Sequence, residues 1–333
     1  PLRRDYSVRR GWHQPTSGGA RVKPAHADAA STLPLDVPST GIGAHARPSR
    51  PSDFLTLVKP RLNLLVLFTM LVGMYLASPE GVALPLLAHA LLGTAFVAGG
   101  ASALNQVWES DTDSLMHRTR MRPLPDGRLR RVEGTAFGLA LSTLGLAELV
   151  FGVNLLSASV AALTLASYLL VYTPLKRRTW LSTLVGAFPG ALPPVLGWTA
   201  ATGSIGPEAL ALFSVVFLWQ MPHFLAIAWL YREDYARAGL PLLPVIEPDG
   251  RTTGRQAVLY AVVLVPASLT PALTGLGGLP YAAVAVVLGS ILVWLSTGFA
   301  RDLSTISARR LFLASIVYLP VLWAVLVANR LWP

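Results

Sequence analysis

From Leu62 onward the chain is a succession of apolar runs of about 17–25 residues, each ended by a polar segment, and that is the length a helix needs to cross a hydrocarbon core. The runs fall at about 62–78, 83–104, 133–152, 156–174, 181–200, 208–230, 257–275, 280–299 and 311–329. This pattern predicts an all-α, polytopic membrane protein with nine transmembrane helices. Glycine and proline recur inside the runs, most densely over 186–197, where Pro189, Pro193 and Pro194 lie. In a bundle, neighbouring helices satisfy the backbone groups that proline frees, so the fifth span is expected to be kinked.

The polar segments between the runs alternate between two kinds. Those after spans two, four, six and eight carry the basic residues, and those after spans one, three, five and seven carry no Lys or Arg. With the ten basic residues up to Arg61, 26 of the 27 Lys and Arg lie on one side, and only Arg330 falls on the other. The positive-inside rule then places the amino terminus and the even-numbered loops in the cytoplasm of a cell inner membrane, or in the matrix if the membrane is mitochondrial. Missing one span would scramble this asymmetry, so it supports the count of nine.

Residues 1–52 contain no run long enough for a signal-peptide core or a span. They read as a disordered basic extension ahead of a membrane domain over 53–333. Asp5, Asp28 and Asp36 weigh against an organellar transit peptide and favour a plain cytoplasmic tail. The sequence opens on Pro1, so a natural start upstream is expected.

Composition narrows the classes further. Of 333 residues 53% are hydrophobic and only 13% charged, about half the share of a soluble domain, which excludes an ordinary soluble enzyme. Cys is absent, which excludes a disulfide-stapled module and thiol catalysis. The net charge of +10 would suggest nucleic acid only if it were clustered on a soluble face, and here it is spread between apolar runs, so no nucleic-acid partner is expected.

The chemistry should lie on the basic side, where the loops after spans two and six are long and acidic. At about 100° per residue, Asn105, Glu109 and Asp113 fall at roughly 0°, 40° and 80°, a single narrow stripe, while Asp111 falls at roughly 240° and points away. Three oxygen-bearing side chains on successive turns suit a hard cation. Mg²⁺ takes one or two carboxylates and completes its shell with water and phosphate oxygens, and Arg118 and Arg122 just beyond can neutralise phosphate charge. Acids that merely end a helix are common, but an Asn, a Glu and an Asp in register at a membrane boundary beside a basic loop point to a task, because ionisable groups near the bilayer interior are costly without one. Asp111 reads as a solvated or Arg-paired carboxylate. Glu233 and Asp234 leave the membrane on the same side after span six, so two acidic clusters can bracket a diphosphate through metal ions. His223, about three helical turns deeper than Asp234, can ligate iron, accept a proton or position a substrate, whereas His89 reads as a helix–helix hydrogen-bonding residue. Lys176, beside a Tyr-Thr-Pro turn, reads as a phosphate contact, and Arg177 and Arg178 as topology signals.

Several ordered motifs carry a resemblance. They are Asn105-x3-Glu109-x3-Asp113 with Arg118-Thr119 and Arg122-Pro123-Leu124, then Tyr172-Thr-Pro-Leu-Lys176, then Trp219-Gln220-Met-Pro-His223-Phe224 and Arg232-Glu233-Asp234-Tyr235. Together they resemble the haem-farnesylating branch, the protohaem IX farnesyltransferases, of the UbiA superfamily of intramembrane prenyltransferases, from about Lys59 to Pro320. The resemblance implies nine helices around a central cavity, with farnesyl diphosphate held through Mg²⁺ at the two acidic motifs. Asn105, Glu109, Asp113, Glu233 and Asp234 are then the metal and catalytic set, with His223 as a further catalytic residue. Arg118, Arg122, Lys176, Tyr172, Trp219, Gln220, Phe224, Arg232 and Tyr235 are then the substrate contacts. The second motif is reduced, because the superfamily's paired Asp residues become Glu233-Asp234, with His223 upstream where members with aromatic acceptors tend to have an acid. The implied acceptor is a vinyl group of haem B, and the implied product, haem O, would pass to a haem A synthase or a terminal oxidase.

Two other readings stand beside this one. A UbiA-type enzyme for an aromatic acceptor, such as a hydroxybenzoate, shares the fold, and the run from Trp219 to Phe224 speaks against it. A transporter would carry polar groups at the midplane of broken, repeated helices, whereas here the acids cluster at one membrane face.

Overall fold

Helices occupy every stretch where the apolar pattern predicts a span. In the computed structural model, which describes residues 49–331, the first span is bent: α1 (Arg50–Val58) and α2 (Pro60–Leu76) meet at Lys59 at 41°. Most of the basic extension expected over 1–52 lies outside the described residues, and residues 50–52 belong to α1. α3 (Leu84–Leu115) and α4 (Arg131–Gly152) form a hairpin, and α5 (Leu155–Ala166) continues through a π-helical turn at Ser167–Tyr172 into α6 (Thr173–Leu175). The fifth span breaks at Leu192 into α7 (Ser182–Ala191) and α8 (Pro193–Thr202), as its paired prolines predict. α9 (Pro207–Leu230) is followed by the short α10 (Arg232–Arg237) and α11 (Leu243–Ile246), and then by α12 (Arg251–Leu273), α13 (Leu279–Asp302) and α14 (Thr305–Leu331). Among the described residues eight stretches are long and apolar enough to cross a membrane, and the α1–α2 pair taken as one span makes the ninth.

Local chemistry sets the ends. α2, α3, α8, α9 and α13 carry Pro in the first turn, where its missing N–H costs nothing. Gly203 closes α8 in the left-handed region (φ 67°), with its N–H donating to the Thr199 carbonyl at 2.8 Å. Asn154 caps α5 by accepting from the Ser157 N–H at 2.8 Å and donates to the Thr199 carbonyl at 2.9 Å, so one side chain ties two spans together.

α7–α8 and α9 are the inner wall: 67% and 56% of their apolar windows are buried, against 28–39% in the other spans, whose outward faces are left to lipid. Small residues allow the close approach. A Cβ on Gly197 would overlap the Met70 carbonyl, and one on Gly73 would overlap that of Pro194, so α2 and α8 pack backbone to backbone. Gly197→Leu is therefore expected to force these helices apart. It should lower stability by about 1–3 kcal/mol or more, read as a drop in the apparent melting temperature in detergent; an unchanged transition would contradict the packing.

Candidate functional site

α3 runs past the expected end of its span at 104 to Leu115, which keeps Asn105, Glu109 and Asp113 on one face, and all three are buried. Asp111 faces out and pairs with Arg131. Each buried group on the stripe meets a partner from another element. Glu109 accepts from the Lys176 ammonium at 3.1 and 3.3 Å, and Asp113 accepts from Arg122 Nη1 at 2.7 Å. Asn105 Oδ1 faces the Lys59 ammonium at 3.5 Å. Lys176 sits just past α6, outside the span. Burial alone would pull its ammonium down, but Tyr172 and the Glu109 carboxylate outweigh that and hold it above the ordinary lysine range.

The orientation of Asn105 is imposed by the π-helical turn. The Thr173 hydroxyl donates its one proton to the Tyr168 carbonyl at 2.8 Å, so at 3.2 Å from Asn105 Nδ2 it must accept. The amide oxygen is thereby left to face the Lys59 ammonium. Lys59 arrives through a bend. Gln106 donates to the Leu57 carbonyl at 2.8 Å and Asn63 to that of Val58 at 2.6 Å, which fixes the end of α1 while Lys59 takes a left-handed conformation (φ 51°, ψ 63°).

The loop after α3 closes the site from below. The Thr119 hydroxyl donates to the Asp113 carbonyl at 2.8 Å, ending the helix and presenting Arg118 and Arg122. Arg118 donates to the Tyr235 hydroxyl at 3.3 Å and lies over the rings of Tyr231 and Tyr235, at 4.8 and 5.7 Å from their centroids. This contact brings α10 to the mouth of the site.

Deeper in the bundle, His223 stacks on Trp219 at 5.3 Å and meets Phe312 and Phe224 at 5.0 and 5.7 Å. His223, Tyr168 and Tyr172 lie far inside the bundle, and they and Phe224 keep part of their surface open. His89 bonds Glu148 at 2.6 Å between α3 and α4.

The structure thus assembles Asn105, Glu109, Asp113, Arg122, Lys176, Tyr172, Arg118 and Tyr235 at one end of the bundle, and Trp219, His223 and Phe224 in its interior. Gln220 and Arg232 are engaged in holding helices: Gln220 donates to the carbonyls of Ala187 and Val216, at 3.2 and 3.1 Å, and Arg232 folds back onto the Trp229 carbonyl at 2.9 Å and over the Trp229 ring. On α10, Glu233 is exposed and Asp234 pairs with Arg237. Among the described residues no three of His, Asp and Glu converge as a ready metal cage. Two buried carboxylates and a directed amide oxygen nevertheless fit Mg²⁺, which draws few ligands from protein and the rest from water and phosphate. Sequence reasoning missed Lys59 and Thr173. Only Lys59 carries a signal, a lone cation at the head of an apolar run.

The profile of the UbiA prenyltransferase family matches residues 66–330. A protoheme IX farnesyltransferase of Solibacter usitatus is 46% identical over 287 residues, covering 84% of this chain and 98% of its own. One of Koribacter versatilis is 44% identical over 310 residues, covering 90% and 98%. Among solved structures, a UbiA homologue from Archaeoglobus fulgidus bound to GPP and Mg²⁺ has a TM-score of 0.62 at 19% identity, covering 82% of this chain and 99% of its own. The structure of a digeranylgeranylglyceryl phosphate synthase reaches 0.72 at 15% identity, covering 84% and 98%.

Proposed function

The chain belongs to the UbiA prenyltransferase family, and from that premise we propose that it moves the farnesyl group of farnesyl diphosphate onto a vinyl group of protohaem IX, giving haem O and diphosphate. One observation carries the reading beyond the names of its relatives. Three cations, Lys59, Arg122 and Lys176, meet the Asn105 amide and two carboxylates at one end of a bundle whose interior holds Trp219, His223 and Phe224. That arrangement suits an anion with a long apolar tail.

The chemistry divides along the same line. The C1–O bond of farnesyl diphosphate breaks and its electron pair leaves with the diphosphate. The vinyl π electrons form the new C–C bond, and water adds to the resulting cationic carbon and loses a proton, leaving a hydroxyethylfarnesyl chain. Mg²⁺, when bound, supplies charge neutralisation for the leaving group. Asn105, Glu109 and Asp113 are the set that would hold it, with Asp234 and Glu233 on α10 for a second ion. Lys59, Arg118, Arg122 and Lys176 hold the diphosphate and stabilise its departure through charge-assisted hydrogen bonds. Trp219, Phe224 and Tyr172 keep water from the allylic cation and offer it their ring faces. His223 faces the haem. The distribution of Lys and Arg supports a cytoplasmic or matrix orientation for this end.

Mass spectrometry of haems extracted from membranes with and without this protein tests the reading. Appearance of the hydroxyethylfarnesyl haem is expected. Haem B alone, with a hydroxybenzoate prenylated in its place, would move the protein to the aromatic-acceptor branch.

A further inference from the structure

Ser315, in the apolar middle of α14, is fully buried, and nothing in the sequence marks it as more than a helix-packing residue. Its hydroxyl oxygen makes two short contacts. It donates to the Phe312 carbonyl at 2.7 Å, and it lies 2.7 Å from His223 Nδ1. A serine hydroxyl has one proton and two acceptor lone pairs. With that proton given to the carbonyl, the oxygen can only accept from the imidazole, so the ring proton is on Nδ1. In the neutral ring Nε2 then carries a free lone pair. The backbone carbonyl of the same residue accepts from Trp219 Nε1 at 2.7 Å, which locks the indole stacked on the imidazole. One residue therefore fixes both the tautomer and the tilt of His223, while the ring keeps part of its surface open.

We infer that Ser315 is a positioning residue that holds His223 in the Nδ1–H form, so that Nε2 is presented as an unprotonated ligand to the iron of the haem substrate. The inference rests on the haem reading and deepens it. A ligating histidine elsewhere in proteins gives its second ring N–H to a fixed acceptor, which sets the ring's orientation and basicity, and loss of that acceptor costs about 10–100-fold in metal affinity.

The test uses the full chain in lipid nanodiscs titrated with haem B, followed by the Soret band and, after reduction, by the iron–histidine stretch in resonance Raman. Wild type is expected to show a histidine-ligated spectrum, and His223→Ala to lose it. Ser315→Ala should keep ligation but bind haem about 10–100-fold more weakly, with the iron–histidine stretch shifted to lower frequency. Ser315→Thr, which retains the hydroxyl, should restore both. Unchanged affinity for farnesyl diphosphate in Ser315→Ala reports that the variant is folded. If Ser315→Ala matches wild type in affinity and stretch while His223→Ala loses ligation, the positioning role is overturned and the haem reading survives. If His223→Ala also matches wild type, iron ligation by His223 is overturned with it. If wild type binds no haem and forms no haem O, the proposed function itself has failed.

Discussion

Asp113→Asn is expected to lower prenyl transfer by about 10²–10⁴-fold, the several kcal/mol of leaving-group stabilisation that a correctly held metal supplies. The substitution is nearly isosteric, so it removes charge without opening a cavity at a side chain that is 1% exposed. A purely structural account would make Asp113 the counter-ion of Arg122, whose guanidinium sits 2.7 Å away. The two accounts separate in the Mg²⁺ dependence. If neutralising Arg122 is the only task of Asp113, the Mg²⁺ concentration for half-maximal activity of Asp113→Asn stays at the wild-type value. If Asp113 holds a metal, that concentration rises, and raising Mg²⁺ recovers the variant only partially. Full activity of Asp113→Asn at ordinary Mg²⁺ would remove this carboxylate from the metal set.

The parts of the fold that were legible in the sequence are those set by local rules. Span lengths follow from the thickness of the hydrocarbon core, and the break at Leu192 follows from Pro193 and Pro194. The alignment of Asn105, Glu109 and Asp113 needs only that α3 stay helical to Leu115. The contact between Lys176 and Glu109 was legible in type, as a cation beside an acid stripe, but not as a pair. Thr173 and Ser315 were not legible, because a hydroxyl inside an apolar helix bonds its own backbone far more often than a neighbour, and which it does depends on what packs against it. Gln220 and Arg232 illustrate the converse. Their motifs place them among reactive groups, but an amide buried between α7 and α9 and a guanidinium at the end of α9 bond helix carbonyls instead.

Lys59→Gly is expected to raise the KM for farnesyl diphosphate about 10–100-fold, the equivalent of one charge-assisted hydrogen bond, with little change in stability. Glycine is the informative replacement because Lys59 holds a left-handed backbone that costs a non-glycine residue about 1–2 kcal/mol. Lys59→Ala would remove the ammonium and keep the backbone strain, so its effect on activity could not be separated from a loosened α1–α2 bend. Lys59→Gly removes the ammonium and relaxes the strain, so a weakened site in a protein that melts at or above the wild-type temperature isolates the charge. The charge balance favours the same outcome. Without Lys59, Arg122 and Lys176 still face Glu109 and Asp113 as a neutral set, so the empty site loses little. With diphosphate present the missing cation is felt in full. A KM equal to wild type would mean that the Lys59 ammonium serves only to orient the Asn105 amide, and Thr173 already does that from the other side.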